Sequence, residues 1–104
     1  MEIKILWSDS ALVQLEEIFD FHKTQAGYKI ARNLVKSIVQ KVLILETNPF
    51  LGVKEHLLLD RPFEYRFLIF KNYKIIYRYT ENFVKINMVF DCRQNPTKMD
   101  GMKD

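Results

Sequence analysis

From residue 2 to residue 7 the chain alternates, Ile3, Ile5 and Trp7 against Glu2 and Lys4. A period of two is the signature of a strand, so Glu2–Trp7 is predicted as the first one. Ser8 then offers a side-chain oxygen to the first turn of a helix, and Asp9 complements the helix dipole. The apolar spacing lengthens to three and four through Leu12, Leu15, Ile18, Phe19 and His22, with Gln14, Glu17 and Asp20 opposite. This predicts a helix over Asp9–Lys23, broken at Ala26-Gly27. A second stripe, Ala31, Leu34, Val35, Ile38, Val42 and Leu45, predicts a helix over Tyr28–Thr47, stopped by Asn48-Pro49. The short break between the two makes an antiparallel helical hairpin.

Beyond Pro49 the pattern changes again. Glu64–Phe70, Tyr73–Tyr79 and Phe83–Phe90 are rich in aromatic and branched residues, separated by Lys71-Asn72 and Thr80-Glu81-Asn82. Three such runs joined by two short turns predict an antiparallel meander. Gly52–Arg61 has no clear period and is compatible with a short strand or an irregular loop. The order β-α-α-β-β-β predicts one α+β domain over residues 1–104, with the helical hairpin packed on one face of an antiparallel sheet.

Strand alternation sorts the side chains further. Tyr73, Ile75, Tyr77 and Tyr79 share one face, and Lys74, Ile76 and Arg78 the other. Arg66 goes with Leu68 and Phe70, while Tyr65, Phe67 and Ile69 take the opposite side. Val84, Ile86, Met88 and Phe90 form a plain core face, with Lys85 and Asn87 opposite. If the helices cover one face, the other is expected to carry Arg66, Lys74 and Arg78, with Arg93 just past the last strand. Such a surface suits a phosphate backbone, and nearby aromatics could stack unpaired bases. Alternating tyrosines are first of all packing residues, and basic residues on an open sheet face are first of all solvated.

Charge sharpens this picture slightly. The 104 residues carry a net charge of +3. Residues 1–53 balance at six Lys/Arg and six Asp/Glu, whereas residues 54–98 hold nine against five. The surplus therefore lies in the second half, which points to a polyanionic or acidic partner. Hydrophobic residues make up 48% of the chain, enough for one core without disulfides or metal. Cys92 is the sole cysteine, so no internal disulfide and no cysteine metal cluster is expected. No apolar run approaches a membrane span, and MEIKILWSDS lacks a signal peptide's apolar core, so a cytoplasmic protein is expected.

The segment NYKIIYRYTENFVKINMVFDCRQNP resembles the closing part of RelE/ParE-type toxins of bacterial type II toxin–antitoxin modules. WSDSALVQLEEIFDF is similar to that family's opening strand and first helix. LETNPFLG resembles its second-helix end, and EYRFLIFKNYKIIY its central strand pair. The likeness runs from about residue 3 to residue 97, and the order and spacing of the pieces carry it. It implies a two-helix hairpin on an antiparallel sheet and a toxin held by a cognate antitoxin. The antitoxin's partly disordered segment would fold on binding, in the apolar groove between the helices and the sheet edge.

Two activities occur among such toxins. RelE-like members cleave messenger RNA on the ribosome, and ParE-like members poison DNA gyrase. The reading favoured from the sequence is the ribosome-dependent, metal- and cofactor-free mRNA endonuclease, with the gyrase poison or an inactive antitoxin binder as alternatives. Metal-independent cleavage needs a group to take the 2′-hydroxyl proton, an acid for the leaving oxygen and cations around the phosphorane. The resemblance puts Lys74, Arg93 and Glu55 in the catalytic roles, Glu55 as general base and the two cations as phosphate clamps. Arg66, Arg78 and Arg61 are expected to hold RNA phosphates. The tail QNPTKMDGMKD departs from the nuclease pattern, having neither His nor Tyr after Arg93. His56 is the nearest candidate acid, and His22 is expected to be a structural or surface residue.

Overall fold

The computed structural model describes residues 3–104. Its elements are β1 (Lys4–Trp7), α1 (Asp9–Ala26), α2 (Tyr28–Leu43), β2 (Val53–Lys54), β3 (Tyr65–Phe70), β4 (Tyr73–Thr80) and β5 (Phe83–Asp91). Short 3-10 turns cover Ile44–Glu46, His56–Leu58 and Pro96–Gly101. The expected strand begins at Glu2, which lies outside the described residues. Ser8 caps α1 as its chemistry predicts, its hydroxyl oxygen accepting from the Ala11 N–H at 3.0 Å. The helix runs a turn past Lys23. It ends at Gly27, whose φ of 96° suits glycine and whose N–H donates to the Lys23 carbonyl at 3.0 Å. That one residue is the entire link to α2.

The five strands lie in the order β1-β5-β4-β3-β2. The meander β3-β4-β5 is as predicted, and Glu81 and Asn82 both take positive φ in the β4–β5 turn, the pattern of a type I′ hairpin. The unpatterned stretch supplies β2, a two-residue antiparallel edge beside β3. One expectation is corrected. The sheet is mixed, because β1 runs parallel to β5, with Ile5 opposite Val84 and Trp7 opposite Ile86. The crossover between these two strands passes through the helical hairpin and the three other strands.

A second correction concerns β5. Ile76 pairs with Met88 but Tyr77 pairs with Ile86, so Asn87 is an extra residue, a β-bulge. The bulge reverses the alternation. Val84, Ile86 and Val89 face the helices, whereas Met88 and Phe90 face the other way. The sheet therefore has two cores. Under the helices, Leu15, Ile18, Leu34, Ile38 and Val42 meet Leu68, Ile75, Tyr77 and Val84. On the opposite face, Tyr65, Ile76, Met88 and Phe90 are covered by Leu58 and by Met99 and Met102 of the segment after β5.

The loop from α2 to β2 is tied down by one tyrosine. The Tyr77 hydroxyl donates to the Pro49 carbonyl at 2.8 Å and accepts from the Gly52 N–H at 2.9 Å. A Cβ at Gly52 would fall 2.7 Å from the Tyr77 ring and 2.8 Å from the Phe67 carbonyl oxygen, so only glycine fits.

Candidate functional site

The residues singled out from the sequence separate into three places. Lys74 lies on the face of β4 turned away from the helices. Its ammonium pairs with the Glu55 carboxylate and sits 4.2 Å from the centre of the Phe67 ring. Glu55 is 4% exposed, and its second carboxylate oxygen accepts from the Leu57 N–H at 3.2 Å. Leu57, Phe67, Ile69, Phe90 and Met99 wall an apolar cavity of about 340 Å³ against Lys74. Both groups are thus engaged with each other, with Lys74 lining an apolar hollow. His56, the candidate acid, is exposed on the adjoining 3-10 turn.

Arg93 is elsewhere. It grips Asp91 with its side chain, Nε at 2.9 Å from Oδ1 and Nη2 at 2.5 Å from Oδ2, while its own N–H donates to the same carboxylate. Those hydrogen bonds hold the Asp91 carboxyl well below its ordinary value and raise the Arg93 guanidinium. Asp91 lies opposite Tyr73, and both line a cavity of about 450 Å³ against Gln14, Glu17 and Phe21 of α1. Tyr73 faces the helical core, where burial raises its phenol and its hydroxyl meets His22 Nε2 at 2.8 Å. His22 is structural, as expected. Arg93 and the Glu55–Lys74 pair are therefore engaged in separate ion pairs. Of the three residues expected in catalytic roles, Glu55 and Lys74 pair with each other and Arg93 pairs with Asp91.

Arg66 corrects the expected open face. It stands opposite Tyr77, in the alternation of Leu68, on the helix side of the sheet edge. Its guanidinium donates to the Gly52 carbonyl at 2.8 Å and the Phe50 carbonyl at 3.3 Å, pairs with Glu64 at 2.8 Å and lies 5.2 Å from the Phe50 ring centre. It fastens the loop beside β2.

Arg61 and Arg78 do share the open face, with Lys85 as a third cation. All three are turned to the segment after β5. Arg61 donates to the carbonyls of Met99, Asp100 and Met102, at 3.1, 3.2 and 2.5 Å, and to Asp104 Oδ1 at 3.0 Å. Arg78 lies 4.0 Å from the Phe63 ring centre and 5.5 Å from that of Phe83, and its Nε donates to the main-chain oxygen of Asp104 at 3.3 Å. Lys85 Nζ reaches the same oxygen at 2.9 Å. Tyr65 donates its hydroxyl to Asp104 Oδ1 at 2.5 Å, and burial together with that bond raises the phenol.

Sequence reasoning passed over Asp91, Tyr65, Lys85, Asn87 and Asp104. Two of them left a signal. Asp91 stands two residues before Arg93, and Asn87 is a lone amide inside an apolar run. Asp104 left none, because its partners lie 17 to 43 residues away.

The chain can now be set beside known proteins. No curated protein matches it by sequence. Among solved structures, a chain described as the chromosomal ParDE TA system from P. aeruginosa superposes with a TM-score of 0.72 at 20% identity, covering 86% of this chain and 95% of that one. At that identity the likeness shows the fold. The model of one family, the ParE toxin of the type II toxin–antitoxin system parDE, matches residues 5–96. That span takes in the helical hairpin, all five strands and every cation described above except Lys4, which puts the chain in the ParE toxin family of type II toxin–antitoxin systems.

Proposed function

We propose that this chain is the toxin of a type II toxin–antitoxin pair and that it acts as a ParE-like poison of DNA gyrase, not as a ribosome-dependent mRNA endonuclease. The engagement of Glu55 with Lys74 and of Arg93 with Asp91 carries the reading. General-base attack by a 2′-hydroxyl needs an available base, with cations on the same phosphate. Glu55 is buried and ion-paired, and Arg93 is paired with Asp91 at the end of β5. The family match supports the same choice, since the pattern is that of the ParE branch. A cognate antitoxin would hold the toxin inactive, its partly disordered segment folding on binding.

The test pairs two reactions with the purified full chain. In one, gyrase supercoils plasmid DNA; in the other, ribosomes translate a defined message whose 5′ ends are mapped by primer extension. Accumulating gyrase-cleaved DNA with an intact message is the expected result. New ribosome-dependent ends, lost in Arg93→Ala, would return the protein to the nuclease class. Lys74→Ala alone is a poor control, because stranding the Glu55 carboxylate costs about 3–5 kcal/mol. The double variant Glu55→Gln/Lys74→Met removes the pair without leaving a buried charge.

A further inference from the structure

The outer faces of the two helices carry opposite charge. On α1, the residues turned away from the buried Ala11, Leu15 and Ile18 include Asp9, Val13, Glu16, Glu17 and Asp20, all exposed. On α2, those turned away from Ala31, Leu34 and Ile38 include Lys29, Arg32, Lys36 and Leu43, again exposed. From Tyr28 to Leu43 the sequence holds no acid, and α1 holds no Lys or Arg before Lys23. An acidic stripe thus runs beside a basic one along the hairpin. Among the described residues no ion pair joins the two helices, so both stripes present their charge to solvent. Val13 and Leu43 add apolar surface to the same face, 53% and 47% exposed.

The single linking residue, Gly27, fixes how the stripes line up. Two helices leaving one point rise equally per residue, so positions equally far from Gly27 lie level. Asp20 then falls between Arg32 and Lys36, Glu17 and Glu16 just beyond Lys36, and Val13 close to Leu43. Such a surface is complementary to itself in one orientation. Turned over about a two-fold axis parallel to the helices, a second copy lays its α1 on the first copy's α2 at the same level. Acids then face bases in both halves, Val13 of each copy meets Leu43 of the other, and the facing helix dipoles run antiparallel. A two-fold axis across the helices would instead set α1 on α1 and acid on acid. Each helix is about 25 Å long and about 10 Å across. The hairpin face therefore offers about 500 Å², and two of them about 1,000 Å², the lower bound of a specific interface.

We infer that the outer face of the helical hairpin is an interface for a second copy of this chain, in a two-fold dimer where α1 of each copy packs on α2 of the other. The small area makes the association weak and concentration-dependent, and charge sets its register. Nucleic acid is the other class of partner that a basic stripe attracts. A phosphate backbone laid on α2 would run beside Glu16, Glu17 and Asp20, which repel it. None of these residues carries the gyrase reading, so failure of the dimer leaves that reading untouched.

Sedimentation velocity on the full chain at low salt, from micromolar to millimolar concentration, should show a monomer–dimer equilibrium. Raising the salt from about 0.05 M to about 0.5 M shortens the screening length and should weaken the dimer about tenfold. Glu16→Lys/Asp20→Lys should leave a monomer, and so should Arg32→Glu/Lys36→Glu, because each makes the facing stripes alike in sign. An equimolar mixture of the two variants should restore a dimer, since acid again meets base in both halves. Circular dichroism checks that each variant is folded. If a reversal unfolds the hairpin, the neutral Arg32→Gln/Lys36→Gln replaces it and should dimerise about tenfold more weakly than the natural sequence. Three results would overturn the inference: a natural-sequence chain that stays monomeric at millimolar concentration, a dimer that both substitutions leave intact, or folded reversal variants that stay monomeric when mixed. A monomer that retards duplex DNA, and no longer does so in Arg32→Glu/Lys36→Glu, would also overturn it and give the basic stripe to nucleic acid.

Discussion

On one side of the sheet, two helices of 18 and 16 residues lay continuous apolar stripes across β3, β4 and β5. On the other side, a six-residue 3-10 turn and two methionines do the covering, aided by bonds from Arg61, Arg78, Lys85 and Asn87. The first cover excludes water through area, which is non-directional and has no substitute short of unfolding. The second relies on polar groups that water or another peptide can satisfy equally well, so its net contribution per bond is small. One sheet thus carries a face closed by broad apolar area and a face closed by a short segment held by two methionines and many polar contacts.

Substitutions can break this contrast, and the largest effect belongs to the helix side. Ile38 is fully buried in α2, so Ile38→Ala should cost about 2–5 kcal/mol of global stability in urea unfolding. Met99→Ala on the other face should cost about 2 kcal/mol, the low end for such a change, because the segment can leave the sheet for solvent. Hydrogen exchange should then show residues 96–104 opening while α1 and α2 keep their protection. Equal losses for the two variants would mean that both faces are structural. Tyr77→Phe tests the tie at the sheet edge. It strands the Gly52 N–H and the Pro49 carbonyl, and about 1–2 kcal/mol should be lost, with faster exchange confined to residues 48–54.

Acid should produce the smallest effect and the clearest separation. The hydrogen bond from Tyr65, aided by Arg61, holds the Asp104 carboxyl below its ordinary value of 3.8. A carboxyl lowered by folding stabilises fully above that value, and the contribution fades as pH falls through the lowered one. The tail should therefore loosen below about pH 4, before the helix side responds. Following the Met102 methyl signal from pH 6 to pH 2 checks this. Asp104→Asn should remove the acid step while leaving the chain folded. Asp91, lowered by Arg93, titrates in the same direction but faces α1, so Asp91→Asn should leave the Met102 profile unchanged.

The helices and the meander were legible because each rests on local period, and the family likeness because it rests on the order of such pieces along the chain. The stripe through Ala31, Leu34, Ile38 and Val42 points one way whatever it packs against, and all four are buried. The alternation in β4 was right for the same reason. In β5 it held only as far as Asn87, where one unpaired residue reversed every later position. The parallel entry of β1 was invisible too, since a period of two carries no direction. Glu55 and Lys74, grouped by the resemblance alone, form a buried ion pair that no local period could show. Arg66 was sorted correctly with Leu68, yet its expected place on the open face did not follow from that sorting. Its real role depends on a loop whose course no pattern revealed.

By itself, the sequence determined where this chain is helical or extended, which stripes close the first core and which family it resembles. Only the tertiary structure decided which of its cations are engaged and by what. The physical reason is range. Backbone geometry and apolar spacing are properties of neighbouring residues, written in the order of the chain. An ion pair is a property of a few ångströms in space, and the partners of Arg61 and Lys74 come from segments 19 to 43 residues away.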